Sequence, residues 1–348
     1  MNKQAVAMMV VWIFILVAGG LILALFFFIG DAQAQSARDE ISLKAMQRLE
    51  SIIATQQASD NTFAVIDVPR EQILFTCEYF DSPEGVNSEL RIGGVPREKT
   101  HALIAGRDML TDELIVFSHR AMVPFSAGNI LMIGHDQEAL VIDGLSDDQL
   151  DSFKQWLPPP IAENMVYDIT ASLDASQLQT VRAVRFEQNH PGTTDPTISF
   201  GLTSPQDALF IHVEMDPFLQ QGIVRYWTGT VWSRGFHYYG TPMLLAYIWL
   251  GDEGRADCFA YKIAQRISTL AELHAQRIAI IRQDLQDAAA QRQSACVPRY
   301  FLTHLEALRD DLAFQSGYDR LHLLSDLAEN VRVQNERLIR EDRCATIY

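Results

Sequence analysis

The stretch that decides the architecture is residues 5–30, AVAMMVVWIFILVAGGLILALFFFIG, which contains no charged residue. As an α-helix rising about 1.5 Å per residue it reaches about 40 Å, more than the ~30 Å hydrocarbon core of a bilayer. The apolar part of a secretory signal peptide is usually only about 7–15 residues long. We therefore expect a transmembrane anchor over residues 1–30 that contacts membrane lipid through residues 5–30.

The flanks of this run predict its orientation. Lys3 is the only basic residue before it, whereas acidic residues outnumber basic ones over residues 31–40. By the positive-inside rule the N-terminus is cytoplasmic and the bulk of the chain is extracytoplasmic, on a single-pass protein of the cell membrane. The triplet Ala-Gln-Ala at 32–34 resembles a signal-peptidase site, so cleavage and release is the alternative.

Charge limits the partners. The chain has 28 Lys+Arg against 44 Asp+Glu, a formal net charge of −16. Such a surface repels nucleic acid, so we expect no nucleic-acid partner.

The four cysteines, Cys77, Cys258, Cys296 and Cys344, lie far apart without a C-x-x-C pair, which disfavours zinc ribbons and thioredoxin-like sites. An even number in an extracytoplasmic domain indicates two disulfides, with buried thiols in a cytosolic protein as the alternative. A long helical pattern separates Cys258 from Cys296, whereas a disulfide needs Cα atoms within about 7 Å. We therefore favour the pairs 77–258 and 296–344.

The pattern after the anchor predicts an amphipathic stalk helix over residues 31–58, which would hold the folded part away from the bilayer. Its apolar residues recur at three-to-four spacing: Ile41, Ala45, Leu49, Ile52 and Ile53.

Short segments rich in β-branched and aromatic residues then predict strands, in a first α+β lobe over 59–160 and a second over 161–250. Ser146 caps a helix that ends near Trp156, and the triple proline 158–160 marks the boundary between the lobes.

Residues 251–348 have a helical period and predict an antiparallel three-helix bundle, which makes the fold class α+β. The first helix has an apolar seam that includes His274, interpreted as a core histidine rather than a ligand. The seam residues are Ile263, Ile267, Leu270, His274, Ile278, Ile281 and Leu285, followed in the next two helices by Leu305, Leu308, Leu312, Leu324, Leu327, Val331 and Leu338.

Motifs of known catalytic chemistry are missing from the sequence. It contains no G-x-S-x-G, H-E-x-x-H or P-loop pattern, and no histidine pair at metal-ligand spacing. Ser118 and His119 are adjacent in a predicted strand, so their side chains point to opposite faces. We therefore expect no catalytic residues, no metal, no cofactor and no enzymatic activity.

The densest chemical feature is RYWTGTVWSRGFHYYG, residues 225–240. Aromatic side chains with polar edges are common in binding sites, which makes this segment a possible ligand surface for a glycan or a peptide. The alternative is that the rings fill the joint between the second lobe and the helices. The candidate residues are Tyr226, Trp227, Trp232, Tyr238 and Tyr239.

The N-terminal Asn-Lys-Gln-Ala before an apolar helix resembles the class III, pilin-like leaders of archaeal surface proteins. The segments FTCEY, IVFSHRAMVPFSAGNILMIG, ADCFAYKIAQR and CATIY are similar to segments of uncharacterised archaeal single-pass membrane proteins. The resemblance implies an extracytoplasmic domain. The chain departs from the pilin pattern where Lys3 meets Gln4, so processing by a prepilin peptidase is not implied.

Together these features predict a membrane-anchored extracytoplasmic structural or accessory protein of a pilus-like, envelope or secretion assembly, with protein partners there. An extracytoplasmic binding module acting through the 225–240 aromatics is the alternative. A hydrolase of envelope polymers with an unfamiliar site is a third hypothesis.

Overall fold

The structure is a computed structural model. It describes residues 3–59, 61–79, 86–92, 103–123, 125–167, 180–188, 196, 208–215, 220–289, 303–312, 321 and 324–340. The helices are α1 (Lys3–Ala58), α2 (Asp147–Lys154), α3 (Pro159–Glu163), α4 (Thr241–Leu250), α5 (Glu253–Ala289), α6 (Thr303–Leu312) and α7 (Leu324–Arg340). The strands are β1 (Thr62–Tyr79), β2 (Val86–Ile92), β3 (Leu103–Ala105), β4 (Met109–Met122), β5 (Ser126–His135), β6 (Glu138–Asp143), β7 (Met165–Val166), β8 (Thr180–Glu187), β9 (Ala208–Met215), β10 (Gln221–Tyr226) and β11 (Phe236–Tyr239).

The first sheet has the order β2-β1-β4-β5-β3 and is antiparallel except for the β3–β5 pair. The sequence predicts separate strands over 63–68 and 72–80, but residues 63–79 belong to one strand, β1, and residue 80 lies outside the described residues. The pairing of β1 with β4 shifts register between Asp67 and Glu71. Pro69 lies in this interval, and a proline has no backbone N–H to give to the ladder. The irregularity therefore lies where the backbone lacks a donor.

The second sheet has the order β11-β10-β9-β8-β6-β7, with β7, β6, β8 and β9 parallel and the last two strands antiparallel. β6 precedes the triple proline 158–160 yet pairs with β7 and β8. The chain therefore passes between sheets at the turn of Asp136 and Gln137, ahead of the prolines. Pro159 instead occupies the first turn of α3, where a missing N–H costs no hydrogen bond.

Helix α4 lies between the two sheets. Its sequence TPMLLAYIWL is buried from Pro242 to Leu250, and it contacts β3, β4 and β5 of the first sheet and β10 and β11 of the second. A helix that is apolar on every side is stable only when it is surrounded by protein or lipid. It ends at Gly251, whose φ of 72° is the left-handed conformation that glycine adopts readily. The core is therefore continuous from one sheet through α4 to the other.

Helix α1 runs without interruption from the apolar segment onto the first sheet. Ser42, Ala45, Met46 and Leu49 are buried, and the last three share a core cluster with the sheet. The predicted helical continuation is therefore present, but part of it lies within the folded body. Residues 31–37 are exposed. The polar spacer between the apolar segment and the sheet therefore extends only from residue 30 to residue 42, which is about 18 Å of helix at 1.5 Å per residue.

The apolar residues of the amphipathic pattern of α1 do not all face the sheet. Ile41 is 51% exposed, because the contact with the sheet begins one residue later, at Ser42. Ile52 is partly buried against the sheet, and the side chain of Ile53 lies outside the described residues.

A group of hydrogen bonds fixes the point where α1 ends. The Ser59 carbonyl oxygen accepts hydrogen bonds from Asn129 Nδ2 at 2.5 Å and from Ser118 Oγ at 3.2 Å. Asn61 follows with a φ of 54°, a conformation that asparagine tolerates better than most residues. Strands β4 and β5 of the first sheet thus fix the position of the residue that follows α1.

The helices at the end of the chain form as the period predicts. Helix α6 packs against α5 and α7, and the seam residues of all three helices are buried or half-buried wherever their side chains are described; Leu285 is not among these. Helix α5 also contacts the first sheet. The arrangement as an antiparallel three-helix bundle stays a prediction.

We predict that Leu49→Ala, in detergent-solubilised full-length protein, lowers the free energy of unfolding by about 2–5 kcal/mol, because it leaves a cavity against the first sheet. Ile41→Ala on the same helix is the matched control and should change it by less than about 0.5 kcal/mol, since Ile41 is exposed. Denaturant unfolding measures both. Equal effects of the two variants would contradict the packing of α1 on the sheet.

Candidate functional site

Three titratable side chains meet in the interior, where β5 of the first sheet ends and β6 and β8 of the second sheet begin. Arg182 Nη2 donates to Glu138 Oε1 at 2.8 Å, and His135 Nε2 lies 3.7 Å from the same oxygen. Arg182 Nη1 donates to the Ile248 carbonyl oxygen of α4 at 2.8 Å. This ion cluster therefore joins β6 and β8 to the central helix.

Burial decides what the ion cluster can do. The side chains of His135, Glu138 and Arg182 are at most 2% exposed, so a substrate in solvent does not reach them. Burial, as the largest effect, lowers the pKa of His135, with Glu138 opposing the shift and Arg182 adding to it. We assign the ion cluster a structural role, because it consists of a neutral imidazole beside a buried ion pair that solvent does not reach.

Gly134 lies where side chains of the ion cluster and of α4 approach the strand closely. A Cβ at this position would lie 2.6 Å from Glu138 Oε2 and 2.9 Å from Trp249 Nε1. Both atoms are buried without a hydrogen-bond partner in the described part of the chain. Only glycine leaves space for these two groups to approach the strand.

The sequence contains one sign of this ion cluster, an arginine on the core side of a strand. In TVRAVRFE, Arg182 shares a face with Val184 and Phe186, both of which are buried. An arginine on the core side of a strand needs a buried acid. Which acid pairs with it depends on the parallel pairing of β6 with β8, which the sequence does not reveal.

Ser118 and His119 point to opposite faces of β4, as predicted. Ser118 Oγ contacts Thr62 Oγ1 at 3.0 Å, while His119 Nε2 donates to the Trp156 carbonyl oxygen at 2.6 Å. His119 Nδ1 lies 2.7 Å from Asn61 Oδ1. Both residues therefore hold neighbouring chain segments in place and do not pair as a nucleophile and base.

The five predicted aromatic residues do not form one surface. Tyr226 and Tyr238 are each 3% exposed and belong to the core around α4, where the Tyr226 hydroxyl donates to the Tyr247 carbonyl oxygen. Trp227 and Trp232 lie on the opposite face of the sheet, with ring centroids 5.4 Å apart. Tyr239 is half-buried at the end of β11. The alternation of side chains along the strands separates the residues.

Two of these tyrosines line a cavity of about 450 Å³ at the end of β9, β10 and β11. Its inner wall contains the buried side chains of Tyr238, Leu321 and Leu324, with Met215 and Ile223 beside them. Its polar lining comes from Gln188, Glu214, Gln221, His237, Tyr239 and Asp326. The cavity is therefore apolar inside and polar at its mouth.

Glu214 and Asp326 make the mouth of the cavity acidic. Arg225 Nη2 is 3.8 Å from Glu214 Oε2, which is too long for a hydrogen bond. Burial raises the pKa of the Tyr239 hydroxyl, and Glu329 adds to the shift while Arg332 opposes it. The hydroxyl therefore stays protonated at neutral pH. The sequence pattern does not reveal this cavity, because α7 and the sheet are far apart along the chain.

Lys262 is a second buried titratable group. It is 7% exposed on α5, and burial, with a smaller effect of Arg266, lowers its pKa to about 7. Arg266 lies one turn further along the helix beside Gly128 of β5. Neither residue lines the cavity at the end of β9, β10 and β11.

Cys258 is buried on α5, 4% exposed, and is disulfide-bonded. The sulfur to which it is bonded lies outside the described side chains. Helix α5 packs against β1, the strand that contains Cys77. The side chain of Cys77 and the whole of Cys296 and Cys344 are outside the described residues, so the predicted pairs 77–258 and 296–344 stay predictions.

Within the described ranges, no group of three or more His, Cys, Asp or Glu side chains is placed to hold a metal ion. Also among those residues, one helix is long and apolar enough to cross a membrane, judged by length and composition. The chain is thus a mixed α/β protein with one apolar N-terminal helix. Comparison with protein-family models, with curated proteins and with solved structures finds no match.

The structural role of the ion cluster predicts a specific pattern of stability. Arg182→Met should destabilise the fold by about 3–5 kcal/mol, because it leaves the Glu138 carboxylate buried without its partner. Adding Glu138→Leu should recover part of this loss. Arg332→Met removes an exposed ion pair with Glu329 and is the control, expected to cost less than about 1 kcal/mol. A double variant less stable than Arg182→Met would contradict the assignment.

Proposed function

We propose that the chain is a single-pass membrane protein with a cytoplasmic N-terminus and an extracytoplasmic body, and that it is a non-catalytic structural or accessory component of a surface assembly. The assembly would be of pilus-like, envelope or secretion type. The proposal rests on helix α1, which is both the apolar segment and part of the core of the first sheet.

The exposed apolar side chains of α1 carry the proposal. Eight large hydrophobic side chains over residues 17–28 are 57–76% exposed, among them Phe26, Phe27 and Phe28. A contiguous apolar surface of this kind is unstable in water and indicates contact with lipid or with other helices. The folded body does not cover these side chains, so something outside the body must.

Two further observations support an extracytoplasmic body. The disulfide bond of Cys258 fits an oxidising compartment. The acidic surface that follows Asp31 fits the outer side of the membrane, with Lys3 on the inner side. The short polar spacer then holds the first sheet close to the membrane surface, within reach of membrane-bound partners.

A second candidate function is binding of a ligand by the body. The cavity lined by Tyr238 and Tyr239 favours it, because it combines an apolar inner wall with polar groups at the mouth. Trp227 and Trp232 lie on the other face of the sheet and do not contribute. The two functions are compatible, since an accessory subunit needs a surface that recognises its partner.

The membrane anchor is tested by fractionation of cells that express the full chain. The wild-type protein should stay with membranes after alkaline carbonate, and protease added to intact cells should digest its body. Leu23→Arg with Phe27→Arg should move it to the soluble fraction, because central charges cost about 2.5–3.5 kcal/mol each. Leu23→Val with Phe27→Leu is the matched apolar control.

Two outcomes would contradict the proposal: wild-type protein in the cytosol, or a body that resists protease on intact cells. For the assembly role, cross-linking in native membranes should recover a stoichiometric membrane partner. Recovery of monomers alone would contradict that role.

A further inference from the structure

We propose that the cavity at the end of β9, β10 and β11 binds a positively charged side chain, arginine or lysine, from a partner protein. The inference deepens the binding function proposed above. It names the class of ligand and the residues that recognise it.

Charge is the first reason. Of the described residues that line the cavity, Glu214 and Asp326 are acidic and none is lysine or arginine. Arg225 Nη2 lies 3.8 Å from Glu214 Oε2, close enough for an ion pair but too far for a hydrogen bond, so the carboxylate keeps the capacity to accept hydrogen bonds. The chain as a whole has a net charge of −16, which attracts a basic partner from a distance.

Shape is the second reason. Arginine and lysine have a long apolar stem and a charged head, and they bury the stem while the head stays at a polar site. The buried Leu321, Leu324 and Tyr238 provide an apolar wall for the stem. The exposed Asp326 and the half-buried Glu214 line the same cavity and are the acidic groups available to the head.

The tyrosines add selectivity. A cation over an aromatic face gains about 0.5–1 kcal/mol at an exposed site and more when it is partly desolvated. The ring of Tyr239 is half-buried at the mouth, and its hydroxyl is protonated. A sugar would instead need a broad exposed ring for stacking, and Tyr238 is 3% exposed. The cavity therefore fits a basic peptide better than a glycan.

The test is isothermal titration calorimetry of detergent-purified full-length protein with three probes. The first is the peptide acetyl-Gly-Arg-Gly-Gly-amide, and the second replaces arginine by citrulline, which has nearly the same shape without the charge. The third is an oligosaccharide of N-acetylglucosamine. We expect binding of the arginine peptide, weakened by salt, and no measurable binding of the other two.

Variants place the binding in the cavity. Glu214→Gln with Asp326→Asn should weaken binding of the arginine peptide on the order of tenfold, because two charge contacts are lost. Asp148→Asn, an exposed acid on α2, is the control and should leave binding unchanged. Denaturant unfolding of the double variant should match the wild type, which separates loss of binding from loss of fold.

Equal binding of the arginine and citrulline peptides would overturn the inference. So would binding of the saccharide alone, no binding of any probe, or unchanged affinity in the double variant. These failures leave the membrane anchor untouched, since fractionation tests it separately. Conversely, a soluble wild-type protein that still binds the arginine peptide would contradict the proposed membrane anchor and support the proposed binding in the cavity.

Discussion

The constraint on which the rest of the structure depends is the continuity of helix α1. Its first half is apolar over residues 5–30, and its second half buries Ala45, Met46 and Leu49 against the first sheet. A helix transmits position and direction along its axis, whereas a flexible linker does not. The first sheet is therefore tied to the apolar segment at a set distance, and the Ser59 carbonyl is held by Asn129 and Ser118 where the helix ends.

The body is organised around a second buried helix. Helix α4 is apolar on all sides and contacts strands of both sheets, so it joins them into one core. The ion pair of Arg182 with Glu138 lies against the same helix and hydrogen-bonds its Ile248 carbonyl oxygen. Buried charges of this kind add little net stability, but they penalise any packing that separates them. We therefore regard the ion cluster as a fixed point between the second sheet and α4.

Local patterns predicted local structure well. The segment TVRAVRFE predicts β8 with the bounds that the structure has, and Ser146 caps α2 as predicted, with its backbone N–H donating to Gln149 Oε1. The sequence pattern did not predict α4, because an apolar run of ten residues between a hairpin and a helix has no amphipathic period. It also missed the sheet to which β6 belongs and the cavity, because both depend on contacts between distant segments. The side of the sheet to which an aromatic ring of β10 or β11 points likewise depends on how the strands pair.

The most direct test of the account is hydrogen exchange of the full-length protein in lipid nanodiscs, read over residues 31–41. In the structure this spacer is helical, with residues 31–37 exposed, and it lies between the apolar segment and the sheet-covered segment of α1. Its amides should exchange more slowly than those of an unstructured peptide and faster than those of residues 42–52. Exchange at the rate of an unstructured peptide would show a flexible linker and contradict the account.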